Sequence, residues 1–218
     1  MGKVVSIAEA VEFIKDGMTI MVSGFLANGT PETLIDALIV KGVKDLTVIT
    51  NDTGFPEKGV GKMVVKKQFK KIIASHVGTN PETGRQMNAG ETEVVLVPQG
   101  TLIERIRCGG TGLGGFLTPT GIGTEVEEGK QKMTVDGHDY LLELPLRADV
   151  ALLYGATVDK SGNVLYAYTQ RNFNPTMAMA ADLVICEAGD IVDVGAIDPN
   201  SVITPGIFVD YIVRKGDA

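Results

Sequence analysis

Short apolar runs bounded by turn residues recur along the chain, and the segments between them carry helix start and stop signals. Residues 18–22, 46–50, 72–77, 94–98, 150–154, 164–168, 183–187 and 208–213 read as strands. Residues 6–16 put Ile7, Ala10, Val11 and Ile14 on one helical face behind a Ser6-x-x-Glu9 capping box, with Gly17 as the stop. Thr30 as N-cap with Pro31 at the first helical position opens a second helix, which Gly42 ends. Thr101 and Glu104 make another capping box, opening a helix that Gly109-Gly110 terminates. Strands alternating with helices call for right-handed crossovers and a mainly parallel sheet. The expected fold class is α/β: an open, mainly parallel sheet flanked by helices, one domain over residues 1–218. Residues 109–147 interrupt the alternation. GGTGLGGFLTPTGIGT is too rich in glycine for a helix, and KMTVDGHDYLLEL has a hairpin signature with Asp136-Gly137 as its turn. A small glycine-rich and β-hairpin excursion, a lid or minor subdomain, is expected there. No internal repeat is read.

Several function classes drop out. With 20 Lys and Arg against 27 Asp and Glu, the net charge of −7 argues against nucleic acid as a partner. No apolar run reaches the ~18 residues of a membrane span. The two cysteines, Cys108 and Cys186, make no disulfide framework and read as buried, inert thiols, so a reducing, cytoplasmic setting is expected. Met1, Gly2 and Ser6 match an acylation pattern, but the capping box accounts for Ser6 more simply. His76 and His138 lie far apart with no second ligand at a useful spacing, so no metal is expected. No G-x-S-x-G elbow appears.

In open α/β sheets, ligands gather at the carboxyl ends of the strands. The stretch VSGFLANGTPETLIDAL puts a turn there, with Gly24 and Gly29 five apart. It lacks the Lys-Ser/Thr of a P-loop and the G-x-G-x-x-G of a dinucleotide loop. Its glycines either permit a sharp turn or open the backbone to a ligand, with Phe25 an exposed aromatic and Asn28 a short polar donor. Gln99, between a strand and a helix, either donates to a developing oxyanion or satisfies local backbone. Asn51 has the same two readings, with an Asx-turn as the structural one. Glu187 at a strand end reads as a carboxylate capping a turn. Six lysines lie between Lys58 and Lys71, either a solvated helix face or a contact for ligand phosphates.

NDTGFPEKGVG, SHVGTNPETGRQMNAGE, VVLVPQGTLIERIRCGG, GLGGFLTPTGIGTEVEEGK, RNFNPTMAMAADLVICEA and VITPGIFVDYIV, together with the opening stretch, resemble the α subunit of a family I CoA-transferase. The likeness runs from about residue 6 to residue 214. It implies a NagB/RpiA/CoA-transferase-like fold, a β-subunit partner in an α2β2 assembly, and no tightly bound cofactor, coenzyme A thioester being a substrate. The implied reaction moves CoA between a short-chain acyl-CoA (acetyl-, butyryl- or acetoacetyl-CoA) and a free carboxylate by way of a glutamate nucleophile. In the family that glutamate lies in a Ser-Glu-Asn-Gly segment of the β subunit, and no such segment occurs here. By the same resemblance Ser23, Gly24, Phe25, Leu26, Ala27, Asn28 and Gly29 form the CoA or oxyanion segment. Gln99 and Asn51 polarise the thioester and orient the glutamate, and Gly115, Phe116 and Thr118 close over the acyl group. The family has Gly-Gly-Phe where this chain has Ser23-Gly24-Phe25, so Ser23 either narrows the turn or adds a donor. Two other readings stay open: a non-catalytic CoA- or acyl-binding module, and a stand-alone thioesterase or isomerase with Glu187 or His76 as base.

Overall fold

The computed structural model describes residues 3–217, which leaves the Met1-Gly2 part of the acylation pattern outside the described residues. Ser6 caps α1 (Ile7–Val11), its hydroxyl accepting from the Glu9 N–H while Glu9 reaches back to the Ser6 N–H. The helix is shorter than its apolar pattern, although Ile14 beyond it is still fully buried. Next come β1 (Thr19–Val22), α2 (Glu32–Lys41), β2 (Leu46–Ile49), α3 (Gly61–Val65), β3 (Phe69–Ala74), α4 (Pro81–Asn88), β4 (Glu93–Leu96) and α5 (Gln99–Thr111). The excursion supplies β5 (Phe116–Thr118), β6 (Lys132–Val135) and β7 (His138–Glu143). The chain then forms β8 (Ala148–Asp159), β9 (Val164–Leu165), α6 (Asn174–Ala178), β10 (Ala181–Val192) and β11 (Tyr211–Arg214).

The main sheet runs β11-β10-β8-β1-β2-β3-β4, all parallel, with the short β9 antiparallel to β8. Strands β1 to β4 step outward on one side, and β8, β10 and β11 step outward on the other. The order therefore reverses between β1 and β8, where Ile20 pairs with Val150 and Val22 with Leu152. Such a reversal leaves a crevice at the strand ends.

Side-chain alternation divides the core between the two faces of the sheet. Ile20, Val22, Val48, Leu152 and Ile185 pack with α1, α2 and α3, while Met21, Ile49, Leu153, Val184 and Cys186 pack with α5 and α6. The excursion is a three-stranded antiparallel sheet, β5-β7-β6, and its tight turn is Asp136-Gly137, both with positive φ.

Four local signals behave differently from their sequence reading. Thr30 does not cap α2: Pro31 holds the cap position, and the Thr30 hydroxyl donates to the Ser23 carbonyl at 3.0 Å. Helix α5 starts at Gln99 behind Pro98, with Thr101 buried in its first turn rather than capping it. Gly109 and Gly110 lie inside α5, which ends at a left-handed Gly112. They are needed for closeness: a Cβ on Gly109 would meet the Leu146 carbonyl at 1.9 Å, and one on Gly110 would meet Met179 at 2.7 Å. The 164–168 run contributes only two strand residues, Val164 and Leu165, which fold back antiparallel on β8 before a 3-10 turn begins at Tyr168.

Gly109→Ala is expected to lower folding stability by about 1–3 kcal/mol through overpacking. Urea denaturation checks this; an unchanged midpoint would mean that α5 shifts freely against the segment entering β8.

Candidate active site

At the end of β1 the Ser23 N–H carries the β1–β8 ladder one step further, to the Leu152 carbonyl at 3.1 Å. Gly24 then turns with φ +127°, and a Cβ there would lie 1.9 Å from the Thr30 hydroxyl oxygen, so only glycine fits. Phe25 and Asn28 pair through two backbone hydrogen bonds of 3.1 and 2.9 Å, closing a two-residue turn at Leu26 and Ala27. Both central residues have positive φ, +48° and +63°, the mark of a type I′ turn, which normally takes Asn-Gly. Each non-glycine residue in this region costs on the order of 1 kcal/mol.

A second hairpin stands beside the first, at the end of β2. Phe55 and Lys58 pair through backbone bonds of 3.3 and 3.1 Å around Pro56 and Glu57, between Gly54 and Gly59. The chain thus contains an internal repeat, G-F-x-x-x-G at 24–29 and 54–59. The hairpins touch, since a Cβ on Gly59 would sit 3.0 Å from that of Ala27.

Asp52, 4% exposed, joins them. Its Oδ2 accepts from the Leu26 N–H at 2.9 Å and the Asn51 amide at 2.7 Å, and its Oδ1 accepts from the Gly54 N–H at 2.8 Å. The segment preceding α6 forms a third wall. Asn28 donates to the Thr169 hydroxyl at 2.6 Å, Asn172 to the Asn28 carbonyl at 2.9 Å, and Asn174 to the Gly29 carbonyl at 3.1 Å.

Ser23, Gly24, Ala27, Thr30, Asp52 and Gly54 line a narrow crevice of about 10 Å³, room for roughly one water molecule. Among the described residues, the N–H groups of Gly24 and Ala27 have no hydrogen-bond partner. Phe25, Asn28, Thr169 and Asn172 line a separate open groove of about 500 Å³. The site is a backbone-rich wall with unspent donors at the topological switch point.

The sequence pattern described as Coenzyme A transferase matches residues 4–215. The chain belongs to the coenzyme A transferase family. It is 55% identical over 211 residues to the acetate CoA-transferase subunit alpha of Escherichia coli K12, covering 97% of this chain and 96% of that one. It is 52% identical over 213 residues to the acetoacetyl-CoA:acetate/butyrate CoA transferase alpha subunit of Clostridium acetobutylicum, with 98% of each covered. Among solved structures, an acyl-CoA transferase of E. coli O157:H7 superposes with a TM-score of 0.86 at 23% identity. All of this chain is matched there, but only 49% of that longer one. Glutaconate coenzyme A-transferase from Acidaminococcus fermentans superposes at 0.83 with 17% identity, covering 97% of this chain and 75% of that one. Both structures speak for the fold alone.

Within this CoA-transferase chain, residues 23–29 and Asn51 come together through Asp52. The Ser23 hydroxyl donates to the Gly29 carbonyl at 3.0 Å and is buried, so it closes the turn on itself. Asn51 is also buried, its amide donating to Asp52 and its oxygen accepting from Ser75 at 3.1 Å. Gln99 is exposed at the start of α5, beyond the outermost strand β4. Phe116 and Thr118 lie in β5 of the small sheet and Gly115 just before it, while Arg105 of α5 is hydrogen-bonded to Leu144 and Leu146 in the segment that follows β7. Of the six lysines, Lys62 pairs with Glu32 and Asp36, Lys67 with Glu91 and Lys71 with Glu93, so those three are engaged by carboxylates of the chain itself. His76 is exposed at the end of β3. Sequence reading passed over Asp52, Asn172 and Asn174; the repeated G-F-x-x-x-G was the available signal for the first.

Glu187 is fully buried, and both its oxygens are occupied: Oε2 accepts from the N–H groups of Thr33 and Leu34 at 2.8 and 3.0 Å, and Oε1 from the Thr33 hydroxyl at 3.2 Å. It caps α2, not a turn of its own strand. Burial pushes its carboxyl above the ordinary 4.5, against the pull of these hydrogen bonds. The folded state therefore holds this proton more tightly than the unfolded chain does, and Glu187 costs stability as pH rises above 4.5. The stability difference between wild type and Glu187→Gln is expected to shift against the wild type as pH climbs through that window. A pH series of chemical denaturation checks it; a pH-independent difference would refute it.

Proposed function

We propose that this chain is the α subunit of a two-subunit enzyme that moves CoA between a short-chain acyl-CoA and a free carboxylate, acetate, butyrate or acetoacetate. The nucleophilic glutamate belongs to the β partner. Its carboxylate attacks the thioester carbonyl, and the C–S bond breaks to release the CoA thiolate and leave an acyl-glutamyl anhydride. The thiolate then attacks the glutamyl carbonyl, freeing the first acid and forming an enzyme–CoA thioester. The incoming carboxylate reverses these steps. The whole chain acts as one domain, and the assembly is α2β2. Gly24 and Ala27 offer backbone N–H groups to the thioester, Gln99 donates to the developing oxyanion, Asn51 helps to orient the glutamate, and Gly115, Phe116 and Thr118 cover the acyl group.

The observation that carries this reading is the state of the carboxylates beside the turn. Asp52 and Glu187 are both buried and hydrogen-bonded through both oxygens, so neither is free to attack a thioester. A wall of donors whose two buried carboxylates are both engaged fits a subunit whose reactive group comes from another chain. The alpha-subunit names of the relatives above point the same way.

The isolated chain is expected to show no transfer from acetoacetyl-CoA to acetate by loss of the acetoacetyl-CoA absorbance, and co-expression with its β partner to restore it. Full turnover by the isolated chain would overturn the shared site in favour of a stand-alone thioesterase or isomerase. In the assembled enzyme, Gln99→Ala is expected to slow turnover by about a hundredfold, the scale of one lost oxyanion donor, with assembly unchanged by mass measurement. An unchanged rate would remove Gln99 from the site.

A further inference from the structure

The two hairpins differ where it matters chemically. In the second, the first central residue is Pro56, whose ring sets φ near −65° and which has no N–H to satisfy. In the first, that position is Leu26, with φ +48°, followed by Ala27 at +63°. Nothing in the side chain of Leu26 favours this conformation, and 40% of the residue is exposed, so packing does not impose it. Asn172 and Asn174 hold the far end of the hairpin, and the bond that reaches its central residues from outside is that of the Leu26 N–H to Asp52 Oδ2, between residues 26 apart in sequence.

We infer that Asp52 is a positioning residue for the proposed transfer: its buried carboxylate holds the left-handed Leu26–Ala27 turn, and through it the crevice wall of Gly24 and Ala27, without itself touching the substrate. This rests on the function proposed above. Three donors converge on the carboxylate, two of them at Oδ2. An asparagine amide has a single acceptor oxygen and cannot serve all three in this arrangement. The bond to Gly54 is a local Asx-turn that shapes Asp52's own loop. The bond to Leu26 reaches the neighbouring hairpin, and only that one bears on the strained turn.

The decisive experiment is a double-mutant cycle in the assembled α–β enzyme. The native turn is compared with Leu26→Asn/Ala27→Gly, a pair that adopts the type I′ conformation unaided. Whatever the new turn does to the rate, Asp52→Asn is expected to lower kcat by about tenfold or more on the native turn and by about threefold or less on the Asn-Gly turn. KM is expected to change less than kcat. Amide hydrogen exchange across residues 24–29 of the subunit should quicken in Asp52→Asn and return toward the native rate once the Asn-Gly turn is added.

Equal losses on both turns would overturn the inference and leave Asp52 as a purely structural residue, as would an unchanged kcat in Asp52→Asn. If the wild-type assembly transfers no CoA, the proposed function fails, and the exchange measurement still decides whether Asp52 holds the turn. Asp52→Asn is used because it preserves size in a buried site. Should it fail to fold on the native turn, folding of the same substitution with the Asn-Gly turn supports the inference, and failure on both turns opposes it.

Discussion

A carboxylate buried on β10 holds the start of α2, and the position of the opening turn depends on it. Pro31 occupies the cap position with no side chain to offer. Glu187 supplies the missing acceptor, meeting the N–H groups of Thr33 and Leu34. A carboxylate at a helix N-terminus gains from the exposed donors and from the helix dipole, which offsets part of the cost of its burial. Strand β8 separates β10 from β1, so this contact crosses the point where the strand order reverses and ties one wing of the sheet to the other. Thr33 adds a further tie by accepting, at its hydroxyl, the Gly216 N–H that follows β11.

Around that anchor the site is made mostly of backbone. The Gly24 turn is fixed by the Thr30 hydroxyl beneath it, the Phe25–Asn28 pair closes the hairpin, and Asn172 and Asn174 hold the Asn28 and Gly29 carbonyls. Backbone groups held by side-chain amides, one of them the buried Asn174, keep their direction when a ligand arrives, which suits a surface meant to meet charge developing on a carbonyl oxygen. Tyr168 marks the far side of the same wall, almost wholly exposed and at φ +49°, an unusual conformation for an aromatic residue.

The strands were largely legible because a parallel sheet buries both of its faces and leaves continuous apolar runs. The runs at 18–22, 46–50 and 150–154 all lie in or against the observed strands. Helix starts were less legible. The Ser6 box works because its partner is three residues away, whereas the cap of α2 comes from a residue more than 150 positions on, which no local pattern announces. Thr30 had the right chemistry for a cap, but its hydroxyl was already committed to the Ser23 carbonyl. Gly109 and Gly110 resembled a stop, yet they serve the close passage of the chain at Leu146 and Met179. The opening turn was legible as a site from its place at a strand end. Its mechanics were not, because Leu26-Ala27 lacks the composition of the turn it forms and relies on Asp52 from the next strand.

The placement of acids follows from the same geometry. A free carboxylate beside a thioester is a nucleophile, and in the proposed reaction only one carboxylate should attack. Asp52 lines the crevice, so it has to be present without competing. Three donors on its two oxygens hold it in place and draw on its electron density, while one of them reaches a strained turn. Asparagine would remove the charge but bring an N–H2 group against donors, and an apolar residue would leave the Leu26 and Gly54 N–H groups unpaired in a buried place. A carboxylate engaged by three donors satisfies both demands, which accounts for an acid at the centre of a wall whose chemistry is to be done by another chain.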